Sequence, residues 1–195
     1  MLDLGPATRT LAELVATVRD DQLADPTPCP DMSVAALLHH VEGLCLGFTA
    51  AARKDLVGGS AAPQPDAAQL RPGWRQELPG LLATLAEAWR LEDAWSGPTR
   101  VGGIDLPGDA AGFFALDELL VHGWDLSVAT GQPFQWDDGL AEALHGFLLA
   151  SVAQAPNGTP GLFGPPVPVP DDALLMDRVL GLTGRDPMWR PTARV

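Results

Sequence analysis

The chain has 195 residues, 46% of them hydrophobic, enough to bury a substantial core as one domain without requiring a second. A formal charge of −13, spread along the sequence, gives a surface that repels phosphate backbones, so no nucleic-acid partner is expected. No stretch approaches about 18 uninterrupted apolar residues, and "MLDLGPATRT" lacks the basic start and apolar run of a signal peptide, so the expectation is a cytoplasmic protein with no membrane contact.

Cys29 and Cys45 form no CxxC pair, which argues for two reduced thiols against a disulfide framework or a cysteine zinc cluster. Tyr is absent and Lys54, Ile104 and Asn157 are each the sole residue of their type, whereas Gly (21) and Pro (19) abound. Residues with AT-rich codons have nearly vanished, as in proteins from GC-rich bacterial genomes.

In chain order, Thr10 and Glu13 form a capping-box pattern ahead of Leu11, Leu14, Val15 and Val18, which predicts a first helix ending at Asp20–Asp21. "ADPTPCPDM" is a connecting loop that delivers the chain to Ser33, a good N-cap. A second helix follows to about Lys54, with Val34, Leu37, Leu38, Val41, Leu44, Cys45 and Phe48 on one stripe. After a loop at "GGSAAPQPDAAQLRPG", a third helix buries Leu78, Leu81, Leu82, Leu85 and Trp89, with Pro79 marking where its regular part begins.

"WSGPTRVGGIDLPGD" reads as a turn or short extended hairpin. Asp109 can cap the fourth helix, which stops at Gly131, and a fifth spans Asp138 to Gln154. "APNGTPGLFGPPVPVP" cannot be helical and is expected to lie extended across the bundle. A last helix, Asp171 to Leu182, ends at Gly184 before the tail. The fold class is therefore all-α: a four-helix bundle (1–155), then an extended segment, an additional C-terminal helix and a tail (156–195), in one domain with connections long enough for crossovers.

The fourth helix carries the unusual feature. At about 100° per residue, Glu118, His122 and Asp125 fall within about 60° of one another, in a sector shared with Ala111, Phe114, Ala115 and Ala129. A lone carboxylate there is costly, so it must be protonated, paired, solvated by a cleft or bound to a metal. The same construction turns His40 of the second helix inward and His39 toward water. If helices two and four are neighbours, His40, Glu118 and His122 converge as a three-ligand set of the zinc type with an open position. Asp125 then serves as an acceptor behind His122 or an extra oxygen ligand. The alternative is a metal-free bundle with direct Glu118–His122 or Glu118–His40 bonds. Arg185, in "GRDP", either receives a substrate carboxylate or ties down carbonyls or a surface acid. Cys45 reads as core packing, and Cys29, between prolines in a loop, as a residue open to solvent.

"TPCPDMSVAALLHHVEGL" followed by "LDELLVHGWDLSVATGQP" resembles the metal-binding domain of the mycothiol-dependent maleylpyruvate isomerases, in the DinB-like superfamily of four-helix bundles. "FGPPVPVPDDALLMDRVLGLTGRDPMW" is similar to the ending of uncharacterised actinobacterial relatives, so the resemblance runs from the first helix to Trp189. It implies a metal at the histidine of the "V-x-x-L-x-x-H" helix and at the Glu and His of "E-x-x-x-H-x-x-D", which fall on His40, Glu118 and His122. The implied cofactors are a divalent metal, zinc first, with nickel, iron or manganese as alternatives, and mycothiol as co-substrate.

The implied activity is that of a thiol S-transferase or isomerase acting on a small electrophile, with Asp125 orienting His122 or acting as a base and Arg185 near the ligand. Two departures stand out: Met32 replaces a frequent tryptophan, and the isomerase's C-terminal domain, which supplies an arginine, is represented here by one helix and a short tail. A non-catalytic ligand-binding or interaction bundle is the competing expectation, and pairing through a helix face would give a homodimer.

Overall fold

The computed structural model describes residues 1–57, 64–158 and 164–191. These contain six α-helices, α1 (Gly5–Thr17), α2 (Val34–Ala52), α3 (Trp74–Trp89), α4 (Gly108–Thr130), α5 (Asp138–Gln154) and α6 (Leu175–Leu182), and a hairpin of β1 (Pro98–Val101) with β2 (Ile104–Pro107) between α3 and α4. The loop at 58–63 and the middle of the proline-rich segment, 159–163, lie outside the described residues, as do 192–195.

α1 and α2 each pack against both α3 and α4, so the cyclic order of the bundle is α1–α3–α2–α4 and the first two helices stand across a diagonal. The chain crosses between them through the loop after α1, where the Gln22 amide donates to the Thr130 carbonyl at 2.9 Å and ties the crossing to the end of α4. Arg75 fixes the same loop from α3 by donating to the Val18 carbonyl at 2.9 Å. Leu37, Leu38, Leu82, Leu85, Trp89, Leu116 and Leu120 fill the centre.

α5 leans on α4, and α6 on α5. α4 is thus enclosed nearly all round, with 17 of its 23 residues buried, which is why its sequence shows no clean polar face. By length and composition α2 is apolar enough to cross a membrane, with a mean hydropathy of 1.4, but 56% of that window is buried in the bundle.

Helix ends differ from expectation where packing or backbone chemistry outweighs a side-chain cap. α1 starts a turn before Thr10: its N-cap is Leu4, with a proline in the first positions whose fixed φ suits a helix start. α3 starts at Trp74 and carries Pro79 inside, because the buried Trp74, with the Arg75 guanidinium 4.1 Å above its ring, anchors the first turn despite the hydrogen bond the proline forfeits. At α4 the N-cap is Pro107, and the Asp109 carboxylate accepts from the Ala110 N–H within the first turn. α6 begins at Leu175, since Asp171 and Asp172 form a turn after Pro170. Ser33 caps α2 as expected by accepting from the Ala36 N–H, and Gly131 ends α4 in the left-handed region at φ 70°.

Gly112 permits the close approach of α4 to Trp95, whose ring a Cβ at that position would meet. Replacing Gly112 with Ala is expected to cost about 1–3 kcal/mol in urea unfolding. Gly47→Ala, on α2 with nothing within 4 Å of the added Cβ, is expected to stabilise by up to about 1 kcal/mol.

Candidate metal centre

The α2–α4 packing brings His40, Glu118 and His122 together. Glu118 Oε2 lies 2.8 Å from His122 Nε2 and 3.8 Å from His40 Nε2. The two imidazoles meet edge to face, 5.0 Å between centroids at 87°. The three donor atoms lie within 4.8 Å of one another. His122 is buried, whereas His40 and Glu118 are half-buried, their side chains 21% and 22% exposed, so the cluster has a solvent side.

His122 is held from behind. Its Nδ1 is 2.9 Å from Asp125 Oδ2, and Asp125 is fully buried and clamped by Arg185, whose Nε and Nη2 lie 3.1 and 3.0 Å from the two carboxylate oxygens. A carboxylate paired with a guanidinium only accepts, so the proton of this bond sits on Nδ1 and the ring presents Nε2 to Glu118. Arg185 also donates to the Thr183 carbonyl at 3.4 Å, which anchors the end of α6 to α4. Its guanidinium is engaged with Asp125 and with the end of its own helix.

Burial disfavours charge throughout this cluster, but local partners override it for most members. At His122 the hydrogen bonds to Asp125 and Glu118, with their charges, outweigh desolvation and raise the imidazole to about 9. At Glu118 desolvation is likewise outweighed by the hydrogen bond from His122 and by the nearby His122 and His40 rings, so its carboxyl stays well below the ordinary range. Arg185 overcomes the same cost through Asp125 and stays firmly cationic.

Asp117, one residue before Glu118, is the exception. Burial and the Glu118 charge push it well above the usual carboxyl range, and its Oδ1 is buried with no hydrogen-bond partner among the described residues. Cys29 corrects another expectation: it is 8% exposed, and its thiol, His122 and Asp125 offer donor atoms within 4.8 Å of one another. Desolvation raises this thiol to about 11, and Cys45, buried in the core, to about 12. His39 is half-buried, and its Nδ1 accepts from the Asp66 N–H at 3.2 Å.

The donor chemistry suits a divalent cation better on the Nε2 side than on the Nδ1 side. Two imidazole nitrogens and a carboxylate oxygen are ligands for zinc or its neighbours, and donors around a tetrahedral zinc stand roughly 3.4 Å apart, between the 2.8 and 3.8 Å measured here. The Cys29–His122–Asp125 group would need to deprotonate a thiol and free a carboxylate already bound to Arg185.

Residues 4–127 match the family described as mycothiol maleylpyruvate isomerase N-terminal domain. The chain belongs to that family. Uncharacterized proteins from two strains of Mycobacterium tuberculosis are each 27% identical to this member over 179 residues, 92% of this chain and 93% of theirs. A crystal structure of the mycothiol-dependent maleylpyruvate isomerase superposes with a TM-score of 0.57 at 19% identity, covering 95% of this chain and 88% of that one. A histidine-to-alanine mutant of that enzyme gives 0.56 at 19% identity, over 92% of this chain and 85% of that one. These structures share the DinB-like helical fold with this chain.

Two outcomes follow for the metal-free protein. Because His122 is raised to about 9 from an ordinary 6.5, its protonated form contributes stability that is complete below about pH 6.5 and lost as pH rises through about 9. Chemical unfolding at pH 6.5 and 9.5 is expected to differ by on the order of 3 kcal/mol from this group, and His122→Ala should flatten the profile. Arg185→Ala strands the buried Asp125 carboxylate and is expected to cost about 3–5 kcal/mol in the same assay.

Proposed function

We propose that the protein binds one divalent metal through His40 Nε2, the Glu118 carboxylate and His122 Nε2, and that it joins a low-molecular-weight thiol, mycothiol, to a small electrophile. The convergence of three suitable donors in front of an imidazole already oriented by Asp125 carries this reading. A bound zinc or similar ion supplies Lewis acidity, lowering the pKa of a thiol so that thiolate is available at neutral pH.

The chain's own residues do the rest. Asp125 holds the His122 ring in one orientation with Nε2 facing Glu118, and Arg185 clamps Asp125 in place. Glu118 and His122 hold one proton between them that the incoming cation must displace. The buried helices around Asp125 exclude water from the inner side, leaving the exposed edges of His40 and Glu118 as the way in. Membership of the mycothiol maleylpyruvate isomerase N-terminal domain family supports a thiol co-substrate and a reaction that adds the thiolate to an electrophile, either keeping the adduct or reversing it after bond rotation.

One observation favours a second reading. The direct 2.8 Å contact between Glu118 and His122 is what a non-catalytic, metal-free bundle also requires. The two readings part in the metal content of protein purified without an affinity tag. The metal-thiol reading expects about one divalent ion per chain and metal-dependent consumption of mycothiol with an electrophile. His40→Ala and His122→Ala should each weaken metal binding by more than about 100-fold, and Asp125→Asn by about 10–100-fold. Substoichiometric metal unchanged by these substitutions would leave the binding-bundle reading.

Metal uptake should also release a proton from His122. Affinity measured by competition is expected to rise about tenfold per pH unit below about 9 and level off above it. A pH-independent affinity would place the ion elsewhere.

A further inference from the structure

Away from the metal centre, α5, α6 and the segment entering α6 enclose an open cleft of about 300 Å³, lined by His145, Leu149, Val167, Val169, Asp171, Arg178 and two further apolar residues. None of the His40–Glu118–His122 group lines it. Its walls are fixed: the Val167 N–H donates to the Gly181 carbonyl at 2.9 Å, and Gly181 lacks the Cβ that Val169 would meet. The volume sits at the lower end of small-molecule clefts.

Its charge arrangement is unusual for this chain. With 12 Lys and Arg against 25 Asp and Glu, a cation here readily finds an acid, and Arg19, Arg71, Arg75, Arg90, Arg100 and Arg185 all make ion pairs. Arg178 makes none among the described residues, and its Nε is buried without a hydrogen-bond partner. A desolvated guanidinium N–H with nothing to donate to is costly and rare, and calls for an acceptor. Beside it, burial and the Arg178 charge lower the His145 imidazole, which leaves it neutral with a ring N–H to offer. Leu149 is 50% exposed above the same cleft, and Val167, Val169 and Leu182 continue the apolar wall.

We propose that this cleft binds a small monocarboxylate with an apolar body, its carboxylate on Arg178 and His145 and its hydrocarbon against Val167, Val169, Leu149 and Leu182. A guanidinium fork matches a carboxylate in two parallel bonds, which a point cation would not do. The Asp171 carboxylate on the lining disfavours dianions and suits a ligand that also carries a hydroxyl or amino donor.

The test is a titration of the ¹⁵N-labelled full chain with 4-methylpentanoate, its neutral amide 4-methylpentanamide, and inorganic phosphate, each to about 20 mM, following the Arg178 Nε–H and the His145 ring. The acid is expected to saturate with a Kd of about 1 mM or tighter, shifting these two signals and the methyls of Val167 and Val169. The amide and phosphate should bind at least about tenfold more weakly. Arg178→Met, which removes no ion-pair partner among the described residues and should melt at the wild-type temperature, is expected to lose the shift at His145, and Arg178→Lys to retain a weaker one. His40→Ala should bind the acid as wild type does, so failure of the metal reading leaves this result intact. The proposal is overturned by the absence of a saturable shift, by amide or phosphate binding as tightly as the acid, or by undiminished binding in Arg178→Met.

Discussion

The site depends on one hydrogen bond, from His122 Nδ1 to Asp125, and on the Arg185 guanidinium that clamps Asp125. A histidine on a helix can present either nitrogen to its surroundings. Fixing Nδ1 on an acceptor clamped by Arg185 one turn along the same helix removes that freedom and directs Nε2 toward Glu118 and α2. Asp125 is wholly buried, and a carboxylate there is tolerable only because Arg185 reaches across from the end of α6. The C-terminal segment is thus part of the site's support, although it supplies no donor to the His40–Glu118–His122 group.

Charge balance explains the rest of the arrangement. In the metal-free state the cluster pairs Glu118 with a protonated His122 and Asp125 with Arg185, while burial and the Glu118 charge push the Asp117 carboxyl well above its usual range. On the proposed metal reading, a divalent cation would take the place of the His122 proton and use the same three donors. Ring order matters equally: α2 and α4 are neighbours because α1 crosses the diagonal, and without that crossover His40 would stand apart from Glu118 and His122.

The sequence made the main helices legible because their apolar spacing, the Ser33 cap and the Gly131 stop are local signals, and α5 appears with the bounds its pattern suggests. Helix starts were less legible at Thr10, Pro79 and Asp109, where proline backbone chemistry and tertiary packing at Leu4 and Trp74 decide the boundary. The convergence of His40 with Glu118 and His122 followed from helix-face geometry once α2 and α4 were taken as neighbours. Burial of Cys29 beside Asp125, the Arg185 clamp and the orphaned Asp117 did not follow, since each depends on how loops and α6 close over α4. One signal for Asp117 was present: on a helix as apolar as α4, an acid in its middle faces a neighbouring helix more often than water.

The most direct test of the central claim is the coordination sphere of a metal bound to the purified protein, read by X-ray absorption fine structure with anomalous diffraction to locate the ion. The account predicts one ion between α2 and α4 with two imidazole nitrogens and a carboxylate oxygen as its protein ligands, and no sulfur from Cys29. An ion ligated by Cys29 and Asp125, or one lying elsewhere with His40 turned away from Glu118 and His122, would contradict it.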